Sequence, residues 1–172
     1  MNAFIFAAAQ LTFSDDFMRL AAAAVLGGII GLEREWKGHW AGLRTHILVS
    51  IGCAIFIIGG MGMVGRESEA VTRIVQGIAS GIGFLGAGTI LKLDDKREIK
   101  GLTTASSIWL AAALGTAAGA GEFGLATASA IISVCVLGFL PPVEKWLARR
   151  HEERLKKHHH AASDEVHIAR EP

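Results

Sequence analysis

The sequence predicts an all-α fold: a polytopic transmembrane bundle of five glycine-rich helices, N-terminus out and C-terminus in the cytoplasm. Three observations predict it. The 172 residues are 51% hydrophobic, with mean hydropathy +0.42 and 21 glycines, more apolar and small surface together than a soluble domain of this size uses. Charge is excluded from five windows, residues 20–32, 45–65, 74–91, 101–121 and 123–143. Lysine and arginine collect in alternate connections between those windows, the pattern that orients a polytopic chain.

Taken in order, residues 1–16 begin "MNAFIFAAAQLTF", apolar and alanine-rich but without the basic start of a signal peptide. They are expected to form an extracytoplasmic interfacial segment. Window 20–32 is too short alone and becomes a span if it begins near Phe17 with Arg19 snorkelling outward. Windows 45–65, 101–121 and 123–143 reach the ~20 residues that a bilayer-crossing helix needs. Window 74–91 is slightly short, and snorkelling by Arg73 and Lys92 extends it. The five-span domain therefore covers 17–142 and closes at Pro141-Pro142. Residues 143–157, "VEKWLARRHEERLKK", read as a basic amphipathic cytoplasmic helix with Trp146 near the boundary. Such a helix suits an anionic leaflet, and a solvated helical tail is the alternative. Residues 158–172 carry no packing signal and are expected to be disordered; their adjacent histidines receive no function.

The topology follows from the basic residues. Arg34, Lys37 and Arg44 lie in connection 33–44, and Lys92, Lys96, Arg97 and Lys100 in connection 92–100. The remaining ones follow Pro142, except Arg19, Arg66 and Arg73 on the other side. The positive-inside rule puts the rich side in the cytoplasm. A net charge of +1 suggests no nucleic-acid partner; the lipid bilayer is the expected surroundings. Cys53 and Cys135 both fall inside spans without a CxxC spacing, and are expected to be small buried hydrophobes.

The stretch "QGIASGIGFLGAGTI", residues 76–90, contains G-x-G-x-x-G. A dinucleotide loop with that fingerprint needs a strand before it and an acid about 20 residues on. No βαβ unit fits between two spans, so the glycines are read as helix packing. Gly77 and Gly81 form G-x-x-x-G on one helix face, and Gly83, Gly86 and Gly88 extend the small surface. The third span is therefore expected to be central. Gly27 and Gly31 repeat the spacing in the first span, and Gly115 and Gly119 in the fourth. Some of these faces could instead join two copies, and the chain is expected to be a homodimer.

Two polar clusters fall on the cytoplasmic side. Glu33 and Arg34 end the first span, while Arg44, Thr45 and His46 open the second. An ionised Glu33 at the boundary needs a partner, and Arg34 or Arg44 is the natural one. Trp36 and Trp40 suit an interfacial aromatic belt. Asp94 and Asp95 make a tight turn, after which Thr103, Thr104, Ser106 and Ser107 enter the fourth span as helix glue or a cavity wall. If the clusters meet, Glu33, Arg34, Arg44, Thr45, Asp94, Thr103 and Thr104 form one pocket for a cation or a partner's side chain. Glu33, Asp94 and Asp95 are the metal candidates, with Mg²⁺ the ion considered; no other cofactor is expected. His46 and Ser50 stand four apart, but no oxyanion site or third group accompanies them, so the chain is expected to be non-enzymatic.

In order along the chain, "GGIIGLEREWKGHWAGLRTHILVSIGCAIF", "IVQGIASGIGFLGAGTIL" and "IKGLTTASSIWLAAALG" resemble the MgtC/SapB family of bacterial inner-membrane proteins. The resemblance runs from about Ala21 to about Leu140. It implies a five-span, multi-pass inner-membrane protein linked to magnesium limitation, envelope or intracellular stress, and virulence in pathogens. The best-studied member looks like a regulator of the F-type ATP synthase and carries an ACT-like domain after its membrane part. The present sequence is expected to be the short, YhiD-like form without that domain, and Thr103 stands where that member has the Asn of "GLNTAA". The expected function is regulation of another membrane protein complex through lipid-facing small-residue surfaces. The alternative is a cation-binding or transport protein using the polar pocket.

Overall fold

A computed structural model describes the backbone of residues 2–66, 68–93 and 98–168, with side chains from Phe13 to Arg150 apart from residues 67, 91–99, 145 and 148. Five helices appear in order: α1 (Asn2–Trp36), α2 (Leu43–Val64), α3 (Glu69–Gly88), α4 (Leu102–Ala120) and α5 (Phe123–Ile168). Between α3 and α4 lies a small antiparallel hairpin, β1 (Leu91–Leu93) and β2 (Glu98–Lys100), with Lys92 opposite Ile99. The expected helical fold is present, with this short hairpin set into one connection. "LKL" and "EIK" alternate apolar and polar residues with the period of a strand, too briefly to stand out among the surrounding charges.

The chain divides into two compact units, Met1–Val134 and Cys135–Pro172. Within the first, α1, α2 and α4 pack against one another, and α3 packs on α4 and α2. The contacts are close because glycine removes the Cβ that would keep the backbones apart. A Cβ at Gly27 would lie 2.6 Å from the Ser50 Cβ, and one at Gly31 2.8 Å from the Leu43 Cα. One at Gly119 would lie 2.8 Å from the Ala54 Cα, and one at Gly115 would overlap the Ser50 carbonyl oxygen. Ala23, Ile30, Ala54, Ile57, Ala111, Leu114 and Ala118 fill the interior between them.

The expectation of a central third helix is corrected. Gly77, Gly81, Gly83 and Gly88 have nothing within 4 Å of an added Cβ, and only Gly86 meets α4, 3.6 Å from the Ala105 Cβ. Of the described positions in α3 only Ile82 and Gly86 are buried. The centre is taken by α2 and α4, and it is the glycines of α1 and α4 that press against α2. Spacing alone puts small residues on one face, but does not say whether that face has a neighbour.

Among the described residues, three helical segments are long and apolar enough to cross a membrane: Leu43–Val64, Glu69–Gly88 and Phe123–Glu144. Large apolar side chains point outward on every helix, among them Phe17, Phe56, Phe84, Trp109 and Phe139. Acyl chains solvate such a surface and water does not. Two arginines of the charge-poor side are used at the C-terminus of α4. Arg19 donates from Nη1 to the Gly119 carbonyl at 3.2 Å, and Arg66 donates to that of Ala120. Cations suit the negative end of a helix, whose last carbonyls lack intrahelical partners. Gly121 then ends α4 in the left-handed conformation, φ 82°.

In the second unit α5 continues through Pro141 and Pro142 to Ile168. Residues 158–168, expected to be disordered, are thus helical, and 169–172 lie outside the described residues. Glu, Arg, Lys, Leu and Ala dominate after Pro142, and all favour helix. The Arg150 guanidinium stacks 4.4 Å from the Trp146 ring centroid. Both cysteines are free. Cys53 is buried, whereas Cys135, expected to be buried, is exposed, on a stretch of α5 where Val136 and Phe139 also point outward.

Candidate functional site

At the basic end of the first unit a cavity of about 670 Å³ opens between the α1–α2 loop, the start of α2, the end of α3, the hairpin and the start of α4. Gly38, His39, Trp40 and Ala41 line it from the loop, and Lys100 and Gly101 from the hairpin exit. Three helix ends each contribute a hydroxyl and an apolar residue four positions away. The pairs are Thr45 and Val49 on α2, Thr89 and Leu85 on α3, and Thr104 and Ile108 on α4. The local sequence sets this up. Glycines 38 and 101 have positive φ, 71° and 95°, which lets the chain turn sharply on both sides of the cavity. Glu35 folds back to accept from the Leu43 N–H at 3.0 Å and so caps α2.

Arg34 stands behind this wall. It is 2% exposed, and its Nη2 reaches the Thr104 hydroxyl at 3.5 Å. Its Nη1 lies 3.8 Å from the Glu33 carboxylate, which Lys37 approaches to 2.5 Å from the other side. The Arg34 Nε has no hydrogen-bond partner. A buried guanidinium with one N–H unused keeps capacity for an acceptor. The ion pair expected for Glu33 therefore forms with Arg34 and Lys37; Arg44 is exposed and does not line the cavity.

Beside Arg34 a buried relay ties the starts of α2 and α4 together. His46 lies with Nδ1 2.8 Å from the Gly42 carbonyl and Nε2 3.0 Å from the Ser107 hydroxyl. Ser107 also donates to the Thr104 carbonyl at 2.8 Å. Ser50 donates instead to the Ala23 carbonyl of α1 at 2.7 Å. The His46 side chain thus faces α4, while that of Ser50 faces α1. In the loop, His39 has its pKa lowered, first by burial and then by the Arg34 and Lys37 charges, against a smaller opposing pull from Glu33.

Of the residues expected to form a pocket, Thr45 and Thr104 line the cavity, and Arg34 and Glu33 stand behind it. Thr103 is exposed and outside the lining. Asp94 and Asp95 lie outside the described residues. His39, Trp40, Thr89, Lys100, Leu85 and Ile108 were missed. Their signal was weak, because each sits at the end of an element and only the fold brings those ends together. The described lining carries hydroxyls, an ammonium and an imidazole but no carboxylate. Among the described residues, no cluster of three His, Cys, Asp or Glu could hold a metal ion. A second, apolar groove of about 420 Å³ runs between α2 and α3, lined by Cys53, Phe56, Ile74, Gly77, Ile78, Gly81 and Ile82.

The MgtC family profile matches residues 20–146. An uncharacterized protein of Synechocystis sp. is 36% identical over 87% of this chain and 63% of its own length. Protein MgtC of Salmonella typhimurium is 42% identical over 69% of this chain and 49% of its own. Protein MgtC of Brucella abortus is 41% identical over 72% and 50%. The chain thus spans about half to two thirds of the length of these relatives. No solved structure gives a significant match.

Proposed function

The chain belongs to the MgtC family, and we propose that it is a non-enzymatic, five-span protein of the bacterial inner membrane that regulates another membrane protein complex by helix docking. One observation carries this reading. The G-x-x-x-G faces of α1 and α4 are consumed inside the chain, while that of α3 is not. Gly77 and Gly81 instead line the open groove against α2. In lipid a small-residue face gains dispersion contacts when another helix approaches. The occupant we assign is a transmembrane helix of the regulated complex, with the F-type ATP synthase as the first to test. The physiological setting we assign is Mg²⁺ and envelope stress, and virulence in a pathogenic host strain.

The test replaces both glycines, Gly77→Leu/Gly81→Leu, in the full chain. We expect a stoichiometric partner to co-purify with the wild type and to be lost from the variant, with melting temperature unchanged because neither glycine touches a neighbour. A partner retained by the variant, or a self-associated dimer occupying the groove, sinks the reading.

A further inference from the structure

We propose that His46 is a proton-operated latch between α2 and α4, neutral while the basic end of the first unit is closed and charged when acid loosens it. The hydrogens around the ring do not satisfy every contact at once. The Gly42 carbonyl only accepts, so the His46 Nδ1 that faces it at 2.8 Å carries a hydrogen. The Ser107 hydroxyl has a single hydrogen and two groups within reach, His46 Nε2 at 3.0 Å and the Thr104 carbonyl at 2.8 Å. It serves one at a time. With His46 neutral, Nε2 is an acceptor and takes the Ser107 hydrogen. Once Nε2 gains a proton it donates to the Ser107 oxygen, and the hydroxyl turns about its Cβ–Oγ bond to the Thr104 carbonyl. One proton is taken up from water and no other covalent bond is made or broken.

The surroundings decide which state holds the helices together. His46 is 0% exposed and Ser107 2%. A Cβ at Gly31 would lie 2.9 Å from the His46 Cβ, so α1 presses on the ring's own helix from the other side. The charges that bear on the ring are Arg34 and Glu33 of α1. Arg34 is itself buried, and Glu33 is already shared between Arg34 and Lys37. Glu35 is engaged at the Leu43 N–H, Arg44 is exposed, and His39 stands in the loop on the cavity side. No ionisable residue occurs in α4, and those of α3, Glu69 and Arg73, sit in its first turns, at the end away from the cavity. Protonation therefore sets a second cation beside Arg34 in a dry junction. It does so about one turn from the α2 N-terminus, where the helix dipole also opposes positive charge. Water reaching the junction relieves that charge, so acid favours the open form. The residues that give way wall the cavity: Thr45 precedes His46, and Thr104 belongs to the relay.

The test uses the full chain in detergent with every histidine except His46 replaced by glutamine, so that His39 and the tail histidines do not titrate. Nitrogen NMR of the imidazole reads which ring atoms carry hydrogen. Amide hydrogen exchange, corrected for the intrinsic effect of pH, reads protection in the first turns of α2 and α4. The comparison spans about pH 8 to pH 5, the range over which histidine changes charge. At the upper limit we expect hydrogen on Nδ1 alone. At the lower limit we expect it on both nitrogens, with protection about tenfold lower. Adding His46→Gln should leave protection equal at the two limits. Hydrogen on Nε2 at the upper limit, or the same protonation at both, would overturn the switch. Titration with unchanged protection would overturn the latch, and an equal acid loss in the His46→Gln chain would move the sensor elsewhere. The imidazole spectrum needs no His46 variant, so it decides even where that chain does not fold. No partner is read, so the result is separate from partner loss at the α3 groove.

Discussion

Gly115 lies where α4 meets α2, and any side chain there overlaps the Ser50 carbonyl. Gly115→Val should cost about 3 kcal/mol or more, read as a lower melting temperature or loss of the monodisperse peak in detergent. Gly83 has open space around its missing Cβ, so Gly83→Ala should stabilise α3 by about 0.5–1 kcal/mol. If both variants melt alike, the close α2–α4 contact is wrong. The composition made glycine packing legible, and the spacing found Gly27, Gly31, Gly115 and Gly119. The difference between Gly115 and Gly77 was not legible, since it depends on which helix lies opposite. The four-residue spacing of His46 and Ser50, set aside as a dyad in the sequence, likewise depends on what lies opposite. Helical periodicity puts them near one another, but α4 and α1 offer each a better partner, in Ser107 and the Ala23 carbonyl. His39 yields a pH prediction at this scale. Its pKa is lowered in the fold, so the unfolded chain binds the proton more readily. The stability it protects is complete above the unfolded value of about 6.5 and is lost as pH falls below it. His39→Asn should therefore narrow the drop in melting temperature between pH 7.5 and 5.5; an unchanged drop would remove His39 from the account.

Element boundaries show what charge patterning can and cannot reveal. Windows 45–65 and 101–121 lie within two residues of α2 and α4 at both ends, because glycines with positive φ stop those helices where charge resumes. Window 74–91 began five residues late. Ser68 caps α3 by accepting from the Ala70 N–H at 3.2 Å, so the helix starts among charged residues that a hydropathy reading discards. The first window marked only the middle of α1, and the last only the apolar part of α5. The α3–hairpin–α4 connection makes a testable demand. Gly101 has φ 95°, and a Cβ there would collide with the Thr89 carbonyl. Gly101→Ala should destabilise by about 1–3 kcal/mol and shift Thr89 relative to Thr104, read as a lower melting temperature. A wild-type melting temperature would mean that the hairpin does not set the distance between α3 and α4.

At the scale of the molecule, the two ends of the first unit are chemically unlike. One gathers Glu33, Arg34, Lys37, Thr45, Lys100 and Thr104 around a cavity. The other holds Arg19 and Arg66 against the final carbonyls of α4. Those two arginines are two of the three exceptions to the charge bias, Arg73 being the third, and their hydrogen bonds give them a structural reason to stay. A chain whose successive helices run end to end brings residues 19, 66 and 120 together only if α1, α2, α3 and α4 alternate in direction. That alternation, with the basic connections inside, yields a labelling prediction. In a background with Cys53 and Cys135 replaced by alanine, single cysteines at Asp15→Cys and Glu69→Cys should react with a membrane-impermeant maleimide on intact spheroplasts. Arg44→Cys should react only after permeabilisation. All three positions are exposed in the fold, so a missing label reports the membrane and not burial. Labelling of Arg44→Cys from outside would invert the topology. It would also move the cavity to the opposite side of the membrane, while leaving helix packing untouched.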